Sequence, residues 1–376
     1  MMANRILLLM DNRQDPNWGS QATTHALVDL LRRYHPGAEV RGLPRAAARP
    51  RGTVQRRVCE VLAPGLATAG RWEGWTARLV LDLLTSSWRH QIEWADLIVV
   101  NGEGTLHHQR QTRRWMPVIA ALPFMTKAPV WVVNCSVEVR GSRSESLFKS
   151  ALSKAERIAV REPVSGRELR EMGLKAEDAA DCAFLTEPST EQKVDAILKK
   201  VGISGPFAVM TGTAVVRRWD PATQSRLARR LLDSGRSVLY AASTPGDLTN
   251  YRRLTARTPL PLVTHKEATF QELMGVLGRA DLLIGGRFHL LILAALSGTP
   301  FVAVPSNTHK TAGLMEMLQT EDMLYAIDDE EGQLSGVARA LEDPKARGKS
   351  LQERTGPLAK KAILNVTSSG VEAPTS

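Results

Sequence analysis

Five consecutive residues in the second half of this chain combine the types needed to grip and protonate a small anion. Gly285-Gly286-Arg287-Phe288-His289 follow the apolar stretch Leu282–Ile284 and precede a run with helical spacing. Arg287 offers a planar, permanently charged fork suited to phosphate or carboxylate. His289 adds an imidazole, a side chain that can both give and take a proton in general acid–base work. Glycines allow close backbone approach to a ligand, and a helix start presents unpaired N–H groups and a partial positive charge. A glycine turn with an exposed arginine and a capping histidine is the bland alternative. The full Gly-Gly-Arg-x-His pattern at a strand end favours function. Lys310, in Ser306-Asn307-Thr308-His309-Lys310, follows the next strand and can face the same anion. As a lone loop lysine it would simply be solvated.

The first half offers a second set. Val99-Val100-Asn101-Gly102-Glu103-Gly104-Thr105-Leu106-His107-His108 also follows an apolar stretch. Glu103, flanked by Gly102 and Gly104, is expected to be sterically free, to act as a base or to bind hydroxyls. His107 and His108 are candidate proton carriers. A Gly-rich turn with capping residues is the alternative. Asn17-Trp18-Gly19-Ser20-Gln21 lies in a polar loop before a helix. It is not Gly-x-Gly-x-x-Gly, so no dinucleotide fingerprint is present. Asn134-Cys135-Ser136 ends another strand. Arg161-Glu162-Pro163 reads as helix initiation, with Arg161 left over as a candidate anion contact. Cys59, Cys135 and Cys182 are odd in number and widely spaced, so neither a disulfide framework nor a zinc site is indicated. Cys135 has no histidine at a spacing that suggests a nucleophile pair.

The elements that must position these residues alternate. Apolar runs at Ile6–Met10, around Val40, Asp96–Val100, Val130–Asn134 and Arg157–Arg161 read as strands of a parallel sheet, with Ala183–Leu185 as a last short one. Asn101–Gly104 is expected to break its strand. After a linker at Thr186–Thr190 the alternation restarts. Strands are expected at Phe207–Met210, Ser237–Ala241, Leu282–Ile284, Phe301–Val304 and Met323–Ile327. Helices are expected at Glu191–Val201, Ala222–Asp233, Phe270–Leu277, Phe288–Leu296 and Ala312–Leu318. The expected fold class is α/β, with two doubly wound Rossmann-like domains facing a cleft. The division expected is 1–187, 188–345, and a terminal helix with a disordered tail over 346–376.

Composition sets the bounds. The 376 residues are 43% hydrophobic and 23% charged, as in globular chains, which excludes disorder or coiled coil for the whole. Lys plus Arg exceed Asp plus Glu by 10, which favours anionic partners. Part of that excess lies between Arg45 and Arg78, where peripheral contact with an anionic membrane or a glycan is one option. Aromatic interleaving and nucleic-acid motifs are missing there, so nucleic acid is not expected as a partner. No apolar stretch reaches the roughly 18–20 residues of a membrane span. A cytoplasmic location, possible peripheral membrane contact included, is the expectation.

Taken together, these motifs resemble the polysaccharide pyruvyl transferase family. The resemblance rests on Gly285-Gly286-Arg287-Phe288-His289, Gly298-Thr299-Pro300 and Lys310. It rests also on Arg161-Glu162-Pro163-Val164-Ser165 with Leu169, Gly173 and Asp181-Cys182-Ala183-Phe184, and on Asn17-Trp18-Gly19. Many members carry three glycines where this chain has Gly102-Glu103-Gly104, so the acceptor half differs. The resemblance implies a GT-B-like pair of domains. It implies transfer of the pyruvyl group of phosphoenolpyruvate to sugar hydroxyls of a cell-surface polysaccharide or its precursor, as a ketal, with release of phosphate. Acceptors would be glycans or lipid-linked oligosaccharides. His289, Arg287 and Glu103 would be catalytic. Gly285, Gly286, Lys310, Asn17, Gly19, Gln21, Gly102, Gly104, His107, Asn134 and Arg161 would contact substrates. The scheme calls for no metal and no cofactor beyond the donor.

Three other classes fit parts of the pattern, one of them a phosphoenolpyruvate-independent transferase or ketal-processing relative. A GT-B glycosyltransferase using a nucleotide sugar would want an acidic residue in the helix after the Gly-rich turn, and Phe288–Leu296 has none. A non-catalytic glycan-binding protein would work through the basic segment instead.

Overall fold

The computed structural model describes residues 2–44, 88–107, 115–142, 145–215 and 218–368. The basic segment Arg45–Arg78 and His108 lie outside the described residues. The chain divides into two compact units. Unit 1 comprises Met1–Asn12, Thr24–Cys182 and Lys361–Ser376; unit 2 comprises Arg13–Thr23 and Ala183–Lys360. The division is therefore not the linear one at 187/188 and 345/346. The stretch carrying Asn17 and Gly19 belongs with the second unit, and residues 361–368 return to the first.

Unit 1 holds β1 (Arg5–Leu9), α1 (Trp18–Tyr34, of which Thr24 onward lies in this unit), β2 (Glu39–Leu43), α2 (Arg89–Trp94), β3 (Leu97–His107), α3 (Trp115–Met125), β4 (Val130–Glu138), α4 (Glu145–Leu152), β5 (Arg157–Val160), α5 (Pro163–Glu171) and β6 (Glu177–Asp178). All strands are parallel, in the order β2-β1-β3-β4-β5-β6. Ile6–Leu9 and Leu97–Val100 are buried on both faces, as covered parallel strands require. β3 runs on through Asn101–Gly104 rather than stopping there. Its pairing with β4 shifts between Glu103 and Leu106, so a β-bulge absorbs the glycines. Residues 182–185 form a turn of 3-10 helix, not a strand, and β6 closes the sheet. Chain order reverses between β1 and β3.

Unit 2 holds α6 (Glu191–Lys200), β7 (Phe207–Thr213), α7 (Pro221–Asp233), β8 (Ser237–Ala242), α8 (Pro245–Thr255), β9 (Leu262–Thr264), α9 (Phe270–Leu277), β10 (Leu282–Gly286), α10 (Phe288–Leu296), β11 (Phe301–Ala303), α11 (Lys310–Leu318), α12 (Glu330–Glu342), α13 (Pro344–Glu353) and α14 (Thr355–Ala362). Its parallel order is β11-β10-β7-β8-β9, which reverses between β7 and β10. Met323–Ile327 is not a sixth strand; only an isolated bridge joins Leu324 to Ala303. α8 and β9 lacked a clear apolar signature in the sequence. Local chemistry starts the helices: Thr244 and Thr269 cap α8 and α9 in reciprocal boxes with Asp247 and Glu272. Among the described residues, no helix is long and apolar enough to cross a membrane.

Candidate functional site

In an open parallel sheet, ligands bind beyond the carboxyl ends of the strands where chain order reverses. In unit 2 that point lies between β7 and β10, and β10 ends in Gly285-Gly286. A Cβ at Gly285 would press on Thr211, and one at Gly286 on Thr213 and the Val304 carbonyl. These glycines therefore serve strand packing around a bulge in β7, where pairing shifts between Ile284 and Gly286. The space that their missing side chains leave is taken up by the neighbouring threonines.

Arg287 is held from one side. Its Nε donates to Asp247 Oδ1 at 2.7 Å, and a terminal nitrogen donates to Thr244 Oγ1 at 2.7 Å. Asp247 is fixed in turn by the Thr244 hydroxyl at 2.8 Å and the Thr244 N–H at 3.1 Å. The Arg287 side chain keeps 16% of its surface exposed while Asp247 keeps 1%. The guanidinium is thus anchored by a buried carboxylate and still presents a face. Arg287 is also the N-cap of α10, where no side chain caps the helix. The first N–H groups of α10 are what an anion would use. Apart from His289 the helix is apolar and largely buried, a rigid support.

His289 sits in the first turn of α10, half-buried, edge-on to Phe288 with centroids 5.2 Å apart. A Cβ on Gly19 would overlap its Cβ, Cγ and Nδ1. Gly19 therefore makes room for the imidazole, and Nε2 is the far nitrogen. Asn17 is the N-cap of α1; its Oδ1 accepts from the Gly19 N–H at 3.0 Å, and its carbonyl from Gln21 at 3.0 Å. Trp18 is buried and donates from Nε1 to the Ala268 carbonyl at 2.7 Å, which pins this loop to unit 2. The structure thus brings Asn17, Gly19 and Gln21 together with His289. Lys310 opens α11, buried, with Nζ donating to Asn307 Oδ1 at 2.8 Å. β11 pairs with β10, so Lys310 follows the strand beside the Arg287 strand.

In unit 1 the reversal lies between β1 and β3, and Glu103 stands at the β3 bulge. It is buried, not sterically free as its glycine neighbours suggested, because Asn12 Nδ2 donates to its Oε1 at 2.6 Å and the sheet continues past it. A Cβ at Gly102 would overlap Cys135, whereas Gly104 is half-buried within the bulge. His107 ends β3, buried, opposite Glu138. Asn134 is buried, with φ +54, and donates from Nδ2 to Asn101 Oδ1 at 2.9 Å. Three of the four non-glycine residues with positive φ among those described are in this unit: Met10 just past β1, Glu103 at the β3 bulge and Asn134 within β4. Such conformations tend to persist where function demands them.

Arg161 has a different place. Its side chain is 1% exposed and pairs with Asp181, 0% exposed, at 2.7 Å, and Nε donates to Ser136 at 3.0 Å. The motif around it is architectural: Glu162 caps α5 by accepting from Val164 and Ser165, and Ser165 accepts from the Val137 N–H. Burial pushes the Cys135 thiol up to about 12 and raises Cys182 as well, so neither is an activated nucleophile. Sequence reasoning missed Asp247 and Thr244. Their signal was present, a Thr-Pro-x-Asp capping box directly after a strand. Asn365, which reaches Asn134, gave none.

A family profile described as polysaccharide pyruvyl transferase matches residues 17–308. The chain belongs to that family. It is accordingly a transferase of polysaccharide biosynthesis, and the family places a sugar acceptor among its partners. Solved structures agree on the fold. UDP-GlcNAc 2-epimerase from Neisseria meningitidis, bound to UDP-GlcNAc, is similar at 11% identity and TM-score 0.60, over 96% of this chain and 98% of that one. The α,α-trehalose 6-phosphate synthase of Burkholderia multivorans is similar at 14% identity and TM-score 0.57, over 96% and 95%. The protein in complex with UDP-glucose from Anabaena is similar at 13% identity and TM-score 0.57, over 96% of both. At such identities the likeness is one of fold, and that fold is the GT-B-like pair of Rossmann-like units.

Proposed function

We propose that this pyruvyl transferase family member takes its pyruvyl group from phosphoenolpyruvate and sets it on two hydroxyls of a glycan, free or lipid-linked, as a cyclic ketal. The supporting observation is Arg287: a guanidinium anchored by Asp247 and Thr244 on one side, still exposed on another, at the start of α10. Phosphoenolpyruvate carries a phosphate and a carboxylate on one small frame. Arg287, Lys310 and the α10 N–H groups supply cationic and donor groups suited to both.

The chemistry follows from those assignments. Protonation of the enol carbon makes a methyl group and an oxocarbenium-like centre at the adjacent carbon. Two acceptor oxygens bond to that carbon, each losing its proton, and the bond to phosphate oxygen breaks. His289 is assigned the proton for the enol carbon, acting through Nε2. Glu103 is assigned a proton from the acceptor hydroxyl, with His107 as its neighbour on β3. Arg287 stabilises charge on the departing phosphate. No step calls for a metal or a further cofactor.

The nucleotide-sugar reading draws on fold neighbours bound to UDP-sugars. Against it, α10 has no acidic side chain to hold a ribose. The reaction is tested by NMR on phosphoenolpyruvate with a panel of methyl hexopyranosides. Inorganic phosphate in the ³¹P spectrum together with a quaternary ketal carbon in the ¹³C spectrum is expected. Turnover of a UDP-sugar with phosphoenolpyruvate left intact would refute it.

A further inference from the structure

A chain of buried amides runs through unit 1 to the Glu103 carboxylate. Asn12 Nδ2 donates to Oε1 at 2.6 Å, and Asn101 Nδ2 and Thr24 Oγ1 stand 3.4 and 3.5 Å from the same oxygen. Asn101 Nδ2 also donates to Thr24 Oγ1 at 2.9 Å, and Asn101 Oδ1 accepts from Asn134 at 2.9 Å. Asn134 Oδ1 accepts from the Cys182 N–H at 3.0 Å. The Asn134 N–H donates to Asn365 Oδ1 at 2.7 Å, and Asn365 Nδ2 donates to the Ala180 and Ala362 carbonyls at 2.8 Å each. Asn12 is 2% exposed, and Thr24, Asn101, Asn134 and Asn365 are fully buried.

We infer that Asn12 and Asn101 are positioning residues that fix the Glu103 carboxylate for proton abstraction, and that Asn134 and Asn365 hold Asn101 in place. The inference rests on the proposed role of Glu103. Its physical content is specific. A base buried away from water needs hydrogen-bond donors to keep its charge affordable. Amides give that stabilisation and, unlike a histidine or a carboxylic acid, have no proton to surrender near neutrality. With Oε1 held by donors from the β1 end, α1 and β3, the carboxylate plane is set, and little reorganisation is left for the reaction itself. The same network holds Glu103 and Asn134 at φ +39 and +54, conformations that non-glycine residues seldom adopt. Asn365 comes from the far end of the chain, so the C-terminal segment completes the device.

The test is a double-mutant cycle read by phosphate release from phosphoenolpyruvate with methyl hexopyranosides as acceptors. Asn12→Ser is expected to lower kcat by about 10- to 100-fold and leave KM for phosphoenolpyruvate within about twofold. On a Glu103→Gln background the same change should cost less than about twofold, because its effect passes through the carboxylate. Asn365→Ser should act in the same direction, more weakly, and also vanish on that background. Equal losses on both backgrounds would overturn the positioning role, as would a wild-type kcat for Asn12→Ser beside an impaired Glu103→Gln. Full activity of Glu103→Gln would instead remove the base, and the network's purpose with it. Thermal unfolding of each variant separates a lost fold from a lost base.

Discussion

At the carboxyl end of unit 2's sheet the side chains are cationic and lie beside packing glycines; at that of unit 1's sheet a carboxylate is ringed by neutral amides. The first arrangement suits a small, highly charged donor, the second a neutral polyol whose hydroxyls must lose protons. Two arginine–aspartate pairs sharpen the contrast. Arg161 and Asp181 are sealed at 1% and 0% exposure, whereas Arg287 keeps 16% against Asp247 at 1%. The same ion pair is a structural rivet in one unit and an anchored anion receptor in the other. What separates them is whether the guanidinium keeps a face to offer.

That contrast is broken most forcefully at Arg161. Arg161→Ala removes the guanidinium that faces the buried Asp181 carboxylate, and should cost about 3–5 kcal/mol of unfolding free energy. Denaturant titration measures it; a near-neutral result would mean that the pair is not the rivet described. Gly19→Ala should come next, as a kinetic effect. The new methyl displaces the His289 ring, and kcat is expected to fall about 10- to 100-fold while the far-UV circular dichroism and melting temperature stay close to wild type. Unaltered kcat would show that His289 does not depend on its seat against α1. The thiols give a sharper, smaller readout. In the native protein at pH 8, Cys135 and Cys182 should resist iodoacetamide, since burial holds Cys135 near about 12 and raises Cys182. Peptide mapping checks it; rapid labelling of Cys135 would contradict the packing of β4, and of Cys182 that of the turn at Cys182–Leu185.

The smallest expected effect lies in unit 1, at His35. It accepts the Ala3 N–H at 3.0 Å on Nδ1, and burial lowers its pKa. The fold favours the neutral ring, so this contribution is present above the ordinary value near ~6.5 and is lost as pH falls through the lowered one. Melting temperature should decline from pH 7 toward 5.5, and His35→Gln should flatten that slope.

Much of this was legible in residue order. Apolar runs gave both parallel sheets because strands covered on both faces are apolar throughout, and Gly-Gly-Arg-x-His marked the right strand end. Bulges were not legible. Asn101–Gly104 reads as a strand break, yet the sheet absorbs those residues because pairing with β4 resumes at Leu106. Glycine was ambiguous for a related reason: at Gly285 and Gly286 the vacated space belongs to Thr211 and Thr213, a fact of tertiary packing alone. Arg161 was overread, since nothing local tells that Asp181, twenty residues on, closes over it. Asn365 lay beyond reach, because its partners Asn134 and Ala180 stand more than 180 positions earlier in the chain.

Calorimetric titration of phosphoenolpyruvate into the wild-type chain and into Arg287→Ala, with UDP-glucose as the comparison ligand, addresses the anion receptor directly. Saturable binding of phosphoenolpyruvate that weakens by about 10²-fold or more in Arg287→Ala, with no heat from UDP-glucose, is the expected result. Equal affinity of wild type and variant for phosphoenolpyruvate, or binding of UDP-glucose alone, would contradict the account.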